Sequence, residues 1–203
     1  MKLYDSIGMN PRTVRMVMAE KGIQCETVKV DIPGGENRRH PYLSKNPMGQ
    51  MPTLELDDGT CISEITAICE YLDELKPENS LIGRTPKERA ETRMWVRRLD
   101  LNVFEPMANG FRFAEGLKMF QDRVHCIPEA AATLKQIAQE NLSRIEGIIA
   151  GRQWVCGDRF TLADIMLFTW LDIFAGIKQP INPANKTVVA IYEKVKARPS
   201  AKA

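Results

Sequence analysis

The first residues of the chain combine a short extended segment with a helix. Residues 2–5, KLYD, are predicted to form a short extended segment. Within Pro11–Lys21 the apolar residues Val14 and Val17 recur at helical spacing, and Gly22 follows as a stop signal. The pattern predicts a βα unit whose helix opens at the proline.

Three more strands and a helix are predicted before residue 76. ETVKVD, residues 26–31, alternates polar and apolar residues, and PTLEL and TCI flank the turn 57–59 as a hairpin. The helix follows from apolar residues at helical spacing, which are Ile65, Ile68, Leu72 and Leu75. The segment between Asp31 and Pro52 is rich in Pro, Gly and Asn, and loops of that length in compact domains are usually functional.

The pattern changes after about Lys76. KPENSLIGRTPKE is a polar connector with Pro and Gly, and strand signals largely disappear beyond it. We therefore expect a first domain over 1–77, a linker over 78–88 and an all-helical domain over 89–203.

Two capping patterns mark helix starts in this second part. Thr85, Pro86 and Glu88 provide an N-cap, a proline at the first helical position and a glutamate at the third. Thr161 and Asp164 repeat the cap before IMLFTWLDIF, which is apolar almost all round. That segment is predicted to be the core helix of the second domain.

The composition is that of a globular protein and excludes several partners. Of 203 residues, 44% are hydrophobic and 27% charged, and the net charge is +2. A near-neutral chain has no electrostatic footprint for nucleic acid or an anionic membrane. No apolar run has the length of a bilayer span or of a signal peptide. We expect a cytoplasmic protein.

The cysteines and histidines point away from a metal centre. Five cysteines form an odd set without a C-x-x-C pair, which favours reduced, buried thiols. With only two histidines, a His-rich metal site and a Ser-His-Asp triad are both disfavoured. We expect no metal and no chemistry that depends on imidazole.

Three motifs occur in an order that resembles the cytosolic glutathione transferases of bacterial type. They are NPMGQMPTLEL, EITAICEYL and GDRFTLADIMLF. The resemblance implies an α/β first domain of thioredoxin-like fold, βαβ-ββα, followed by the all-α domain. It also implies a cis peptide bond before Pro52, which explains a proline at the head of a strand. The backbone of Met51 would then face outward, where an extended tripeptide can add as a strand.

The same resemblance assigns further glutathione contacts. Ser63 is a candidate N-cap for a helix opened by Glu64, and the amides of Glu64 and Ile65 would bind the γ-glutamyl carboxylate. The family usually has Ser or Thr where this chain has Ile65, so a side-chain hydroxyl is missing; alternatively, Ile65 packs in the core while the backbone amides bind. Gln50 would reach the glycyl or cysteinyl part of the tripeptide, and the loop residue His40 would meet its glycyl carboxylate.

The loop after the first strand would hold the catalytic group. Family members stabilise the glutathione thiolate there with Tyr, Ser or Cys, and some members of the disulfide-reducing branch use Asn or Thr. This loop offers Asn10 and Ser6. Asn10 is either a donor to the thiolate or an ordinary helix cap, and Ser6 is either a donor or a turn residue.

The electrophile would lie in a cleft between the domains, a usual place for small-molecule sites. Residues that could line it are Phe104, Met107, Phe111 and Phe113, although their helical spacing also fits a core. Pro106 is expected to kink this helix.

The resemblance predicts a homodimeric glutathione S-transferase that acts on hydrophobic electrophiles in detoxification. Two alternatives stay open. One is a glutathione-dependent disulfide or peroxide reductase, which Asn10 and the lack of a loop Tyr or Cys favour. The other is a non-catalytic protein-interaction module, which Ile65 favours.

Overall fold

A computed structural model describes all residues, 1–203, and divides them into two compact units. The first unit contains Met1–Arg84 together with Arg198–Ala203, and the second contains Thr85–Ala197. The connector after Lys76 thus belongs largely to the first unit.

The first unit is a mixed four-stranded sheet with two helices. Its elements are β1 (Lys2–Asp5), α1 (Met9–Lys21), β2 (Glu26–Lys29), β3 (Thr53–Glu55), β4 (Cys61–Ile62) and α2 (Ile65–Leu75). The strand order is β2-β1-β3-β4, with β2 parallel to β1 and both remaining pairs antiparallel. The element order and the thioredoxin-like fold predicted from the sequence are confirmed.

Helix α1 begins two residues earlier than predicted. Gly8 precedes the helix with φ 124°, a value that L side chains rarely adopt, and Met9 is its first residue. Asn10 is therefore inside the first turn and is not the N-cap. The following proline is tolerated there because the first N–H groups of a helix have no intrahelical acceptor.

The six C-terminal residues fold with the first unit. Arg198 binds both carboxylate oxygens of Glu20 at 2.7 Å, and the Ser200 hydroxyl donates to the same carboxylate at 2.5 Å. The Arg12 guanidinium donates to the carbonyl of Ala201 at 2.9 Å. The sequence placed these residues in the second domain, because an ion pair between residues this far apart leaves no local pattern.

The second unit is all-helical. Its elements are α3 (Pro86–Leu99), a π-helical turn (Asp100–Phe104), α4 (Glu105–Arg112), α5 (Leu117–Phe120), α6 (Ala131–Ile149), α7 (Leu162–Ala175) and α8 (Lys186–Lys196). Every residue of 162–171 is buried, so α7 is the core helix that its apolar sequence predicts. No helix of the chain combines the length and apolar character that a membrane span requires.

The expected kink at Pro106 takes the form of a π-helical turn. The Glu105 N–H donates to the carbonyl of Asp100, five residues earlier. Pro106 has no N–H for the carbonyl of Asn102, and the side-chain amide of Asn141 donates to that carbonyl at 2.9 Å. A residue from α6 thus replaces the missing helical hydrogen bond.

Candidate functional site

The sheet register brings three chain segments to one end of the first unit. Tyr4 lies opposite Thr53, and Leu54 lies opposite Ile62, in antiparallel pairs. The last residues of β1 and β4 and the first residue of β3 therefore meet at one end, which we call the site end of the sheet. The segments that continue from it are 6–8, 50–52 and 63–65.

Met51 leaves its backbone open at the site end. The Met51–Pro52 peptide bond is cis, as the resemblance implied. The Met51 side chain is buried in a cluster with Val30 and Tyr42. Its N–H and C=O make no hydrogen bond within the chain. These two unpaired groups lie two residues before β3, and unpaired backbone groups beside a sheet can bind extended peptides.

Gln50 is held by its backbone and exposes its side chain. Its carbonyl accepts from the Tyr42 hydroxyl at 2.5 Å and from the Asn46 side-chain amide at 3.0 Å. Burial raises the pKa of Tyr42, so the hydroxyl is a neutral donor. The exposed amide of Gln50 is free to contact a ligand.

The N-terminus of α2 is a second open feature. The helix begins at Ile65, and Glu64 precedes it with φ 69° and an exposed side chain. No side chain caps this end, so the predicted cap by Ser63 is wrong. The amides of Ile65 and Thr66 have no carbonyl one turn earlier to bind, which makes this end suitable for an anion. The Ile65 side chain is half-buried.

Asn10 and Ser6 lie on the segment that follows β1. The side-chain oxygen of Asn10 is buried and has no hydrogen-bond partner. Ser6 is 8% exposed, and its carbonyl accepts from Arg15 at 3.3 Å. Arg15 also binds the buried Asp5 carboxylate at 2.6 Å. The loop is therefore anchored beside the start of α1.

His40 lies on the loop before Tyr42. Its side chain is exposed, and its Nδ1 lies 3.0 Å from the Ser44 hydroxyl. The bond from His40 to Pro41 is also cis.

Tyr42 and Asn46 are site residues that the sequence reasoning missed. They are 3% and 2% exposed and hold the carbonyl that precedes Met51. A signal for Asn46 was present, because Asn before Pro and Gly is typical of a turn closed by its own side chain. The Asn46 side-chain oxygen does accept from the Met48 N–H at 3.0 Å.

Three of the four residues considered for the electrophile site are core residues of the second unit. Phe104 and Met107 are fully buried, and Phe104 stacks on Trp170 with centroids 4.7 Å apart. Phe113 is also buried, whereas Phe111 is half-buried with its ring edge-on to Phe174. The core alternative thus describes Phe104, Met107 and Phe113, and Phe111 keeps some exposed surface.

All five cysteines are free thiols. Cys69 and Cys156 are buried, and burial raises the pKa of both. The other three are partly exposed, so the expectation of uniformly buried thiols is wrong. No group of three His, Cys, Asp or Glu side chains has a metal-binding arrangement.

Two family models match the two parts of the chain. Residues 10–75 match the glutathione S-transferase N-terminal domain, and residues 128–199 match the glutathione S-transferase C-terminal domain.

Full-length relatives and a solved structure agree with both matches. Glutathione S-transferase 2 of Saccharomyces cerevisiae is 32% identical over 210 residues, covering 100% of this chain and 88% of the relative. Maleylacetoacetate isomerase of Pseudomonas aeruginosa is 30% identical, covering 82% and 78%. The crystal structure of a glutathione S-transferase domain-containing protein from Marinobacter aquaeolei superposes with a TM-score of 0.89 at 36% identity, covering 98% of this chain and 99% of that one. With both domains matched and similarity along its whole length, the chain belongs to the glutathione transferase family.

Proposed function

We propose that this chain is a glutathione transferase that binds the tripeptide at the site end and directs its thiolate to a hydrophobic electrophile. The observation that carries the proposal is the unpaired Met51 backbone, which lies at the same end of the sheet as the uncapped start of α2. An extended peptide with a terminal carboxylate matches both features.

Binding would use backbone groups at two points. The N–H and C=O of Met51 pair with the cysteinyl residue as a short antiparallel strand. The sequence assigned the γ-glutamyl carboxylate to the amides of Glu64 and Ile65. Because α2 begins at Ile65, we propose that this carboxylate accepts from the first two amides of the helix, those of Ile65 and Thr66. Ile65 supplies no hydroxyl, so the amides and the helix dipole carry this contact. Gln50 and His40 are proposed to contact the rest of the tripeptide.

The sulfur must then be held as a thiolate. A free thiol has a pKa of about 8.5 and is mostly protonated at neutral pH. A helix N-terminus and a hydrogen-bond donor both favour the anion. The start of α1 and the side-chain amide of Asn10 would supply these two effects. Asn10 is preferred over Ser6 because it lies in the first turn of α1, where its side-chain N–H and the helix N-terminus can act on the same sulfur. The buried Asn10 oxygen, which has no partner in the chain, is an acceptor and has no part in holding the thiolate.

The electrophile and the assembly follow from the family resemblance. We propose a hydrophobic electrophile as the co-substrate and a homodimer as the working form. The relative from Pseudomonas aeruginosa is a named isomerase, so maleylacetoacetate is a second substrate to assay.

Calorimetric titration with reduced and then oxidised glutathione tests the proposal. We expect saturable binding of the reduced form and conjugation of an aryl halide by the same preparation. Stronger binding of the oxidised form, with reduction of a model disulfide exceeding conjugation, would favour the reductase. No heat from either form at several temperatures would favour the non-catalytic module and overturn the proposal.

A further inference from the structure

Two buried side chains hold the peptide segment around Met51 without forming part of the open edge. Tyr42 and Asn46 both donate to the Gln50 carbonyl, at 2.5 and 3.0 Å. The same two side chains reach Thr53, whose hydroxyl is 2.8 Å from the Tyr42 oxygen and 3.3 Å from the Asn46 amide. The segment is therefore fixed on both sides of the Met51–Pro52 bond.

The hydrogens of this network can be assigned without conflict. The single hydroxyl hydrogen of Tyr42 goes to the Gln50 carbonyl, so the Thr53 hydroxyl donates to the Tyr42 oxygen. The amide of Asn46 has two hydrogens, one for the Gln50 carbonyl and one for the Thr53 hydroxyl oxygen. The four groups form a closed cycle in which each hydrogen has one acceptor.

The two side chains are themselves fixed by the preceding turn. The Asn46 N–H donates to the Tyr42 carbonyl at 3.0 Å, and the Gly49 N–H donates to the Asn46 carbonyl at 2.9 Å. Gly49 has φ +63°, and a Cβ there would come within 2.9 Å of the Asn37 carbonyl oxygen. The turn thus needs glycine at this position and has little freedom to move.

Packing adds a second constraint. The Tyr42 ring belongs to the buried cluster that also contains Met51 and Val30. Tyr42 therefore packs against the Met51 side chain and also donates a hydrogen bond to the neighbouring Gln50 carbonyl. The backbone groups of Met51, between these constraints, are the ones left unpaired.

We propose that Tyr42 and Asn46 are positioning residues that fix the direction of the Met51 N–H and C=O before the ligand arrives. The inference rests on the proposed function, because the ligand that benefits is the cysteinyl backbone of glutathione. A preordered edge removes the conformational cost of ordering the segment on binding. Loss of one of the hydrogen bonds to the Gln50 carbonyl should therefore weaken glutathione binding, although neither Tyr42 nor Asn46 touches the ligand.

The test compares two substitutions that each remove one tyrosine hydroxyl. Tyr42→Phe keeps the ring in its cluster and deletes the bond to Gln50. Tyr4→Phe is the matched control, because the Tyr4 hydroxyl binds Glu55 at 2.6 Å in the same sheet and contacts neither Gln50 nor Thr53. In calorimetry we expect Tyr42→Phe to weaken the binding of reduced glutathione by about fivefold to tenfold. Tyr4→Phe should change this affinity by less than about twofold.

A ligand variant separates positioning from a general loss of structure. Glutathione methylated on the cysteinyl amide nitrogen cannot donate to the Met51 carbonyl, so it should bind the natural protein more weakly than glutathione does. In Tyr42→Phe the penalty for methylation should shrink by about threefold or more, because the carbonyl is no longer held in direction. A merely structural role would lower both affinities equally and leave the penalty unchanged.

Asn46→Asp provides a second variant. It keeps the acceptor for the Met48 N–H but replaces the donor to the Gln50 carbonyl with an oxygen. We expect Asn46→Asp to weaken glutathione binding at least as much as Tyr42→Phe does. Thermal melting should show that both variants are folded.

The outcomes distinguish this inference from the proposed function. If the natural protein binds no glutathione, the proposed function fails and the inference fails with it. If the natural protein binds but the folded Tyr42→Phe and Asn46→Asp variants bind equally well, the inference alone is overturned. An unchanged methylation penalty in weakened variants would also overturn it.

Discussion

Three helices of the second unit, α3, α7 and α8, begin differently from the two helices of the first unit. In the second unit α3 and α7 carry capping boxes, at Thr85 with Glu88 and at Thr161 with Asp164. In the first unit α1 and α2 begin without any side-chain cap, after Gly8 and Glu64.

Helix α8 is a third helix of the second unit with a closed N-terminus, that is, one whose free amides are bound by a side chain of the chain itself. Helix α8 is capped from outside, because the Glu146 carboxylate of α6 accepts from the amides of Thr187 and Val188 at 2.9 and 2.8 Å. A carboxylate at a helix start satisfies free amides and complements the dipole. Where the chain supplies that anion itself, the end is structural. The uncapped ends of α1 and α2 lie next to the loops of the candidate site, and their free amides can bind the charges of a ligand.

The largest expected effect is a loss of stability at the capped start of α7. The buried Asp164 carboxylate accepts from the amides of Val155 and Thr161 at 2.8 Å each. Asp164→Ala leaves both donors unsatisfied and should cost about 3 kcal/mol or more, or about 10 °C in melting temperature. Glu64→Ala, at an open end, should change the melting temperature by less than about 2 °C. Similar losses in the two variants would contradict the distinction between the ends.

The same carboxylate gives a pH dependence. Burial raises the pKa of Asp164 to about 6, above the unfolded value of about 4. In that window the folded state holds the proton and the unfolded state has lost it, so stability falls as pH rises from about 4 to about 6. Denaturant titrations should show a steeper fall in the natural protein than in Asp164→Asn, by about 2 kcal/mol across the window. Parallel curves for the two proteins would contradict the assignment.

A new hydroxyl at the uncapped start of α2 should raise the affinity for glutathione. Ile65→Ser adds a donor for the γ-glutamyl carboxylate, and a hydrogen bond to a charged group is worth about 1.5–3 kcal/mol. We expect glutathione affinity to rise about tenfold. Ile65→Ala is the control, because it removes the same apolar surface without adding a hydroxyl. If Ile65→Ala raises glutathione affinity as much as Ile65→Ser does, the smaller side chain and not the hydroxyl is the cause.

The smallest expected effect is at α1. Asn10→Ala should raise the pKa of bound glutathione by about 0.5–1 unit, measured by the ultraviolet absorption of the thiolate. The stability of the ligand-free protein should hardly change, since the buried Asn10 oxygen makes no hydrogen bond. Ser6→Ala is the paired experiment. A shift in Ser6→Ala with none in Asn10→Ala would transfer the role to Ser6.

The sequence predicted elements wherever a local pattern determines them. The capping boxes placed the starts of α3 and α7 correctly, because the cap residues lie three positions apart in the chain. The start of α1 was misplaced because a proline can stand inside the first turn as well as at its head. The start of α2 was misplaced because Glu64 adopts a positive φ that its residue type does not favour.

The candidate site was predictable only in part. The cis bond before Pro52 followed from the family resemblance, and the proline at a strand start was its visible sign. The roles of Tyr42 and Asn46 depend on hydrogen bonds to Gln50 and Thr53 that form only once the loop has folded. Arg198 and Glu20 pair across most of the chain, and no sequence period encodes such a contact.

The most direct test of the open ends is a titration followed by nuclear magnetic resonance. Reduced glutathione is added to the isotope-labelled protein, and the backbone amides of Met51, Ile65 and Thr66 are compared with those of Leu162 and Ala163 at the capped start of α7. We predict saturable shifts with one common dissociation constant at the first three amides and none at the α7 pair. Saturable binding that leaves Met51, Ile65 and Thr66 unshifted, or no binding at all, would contradict the account.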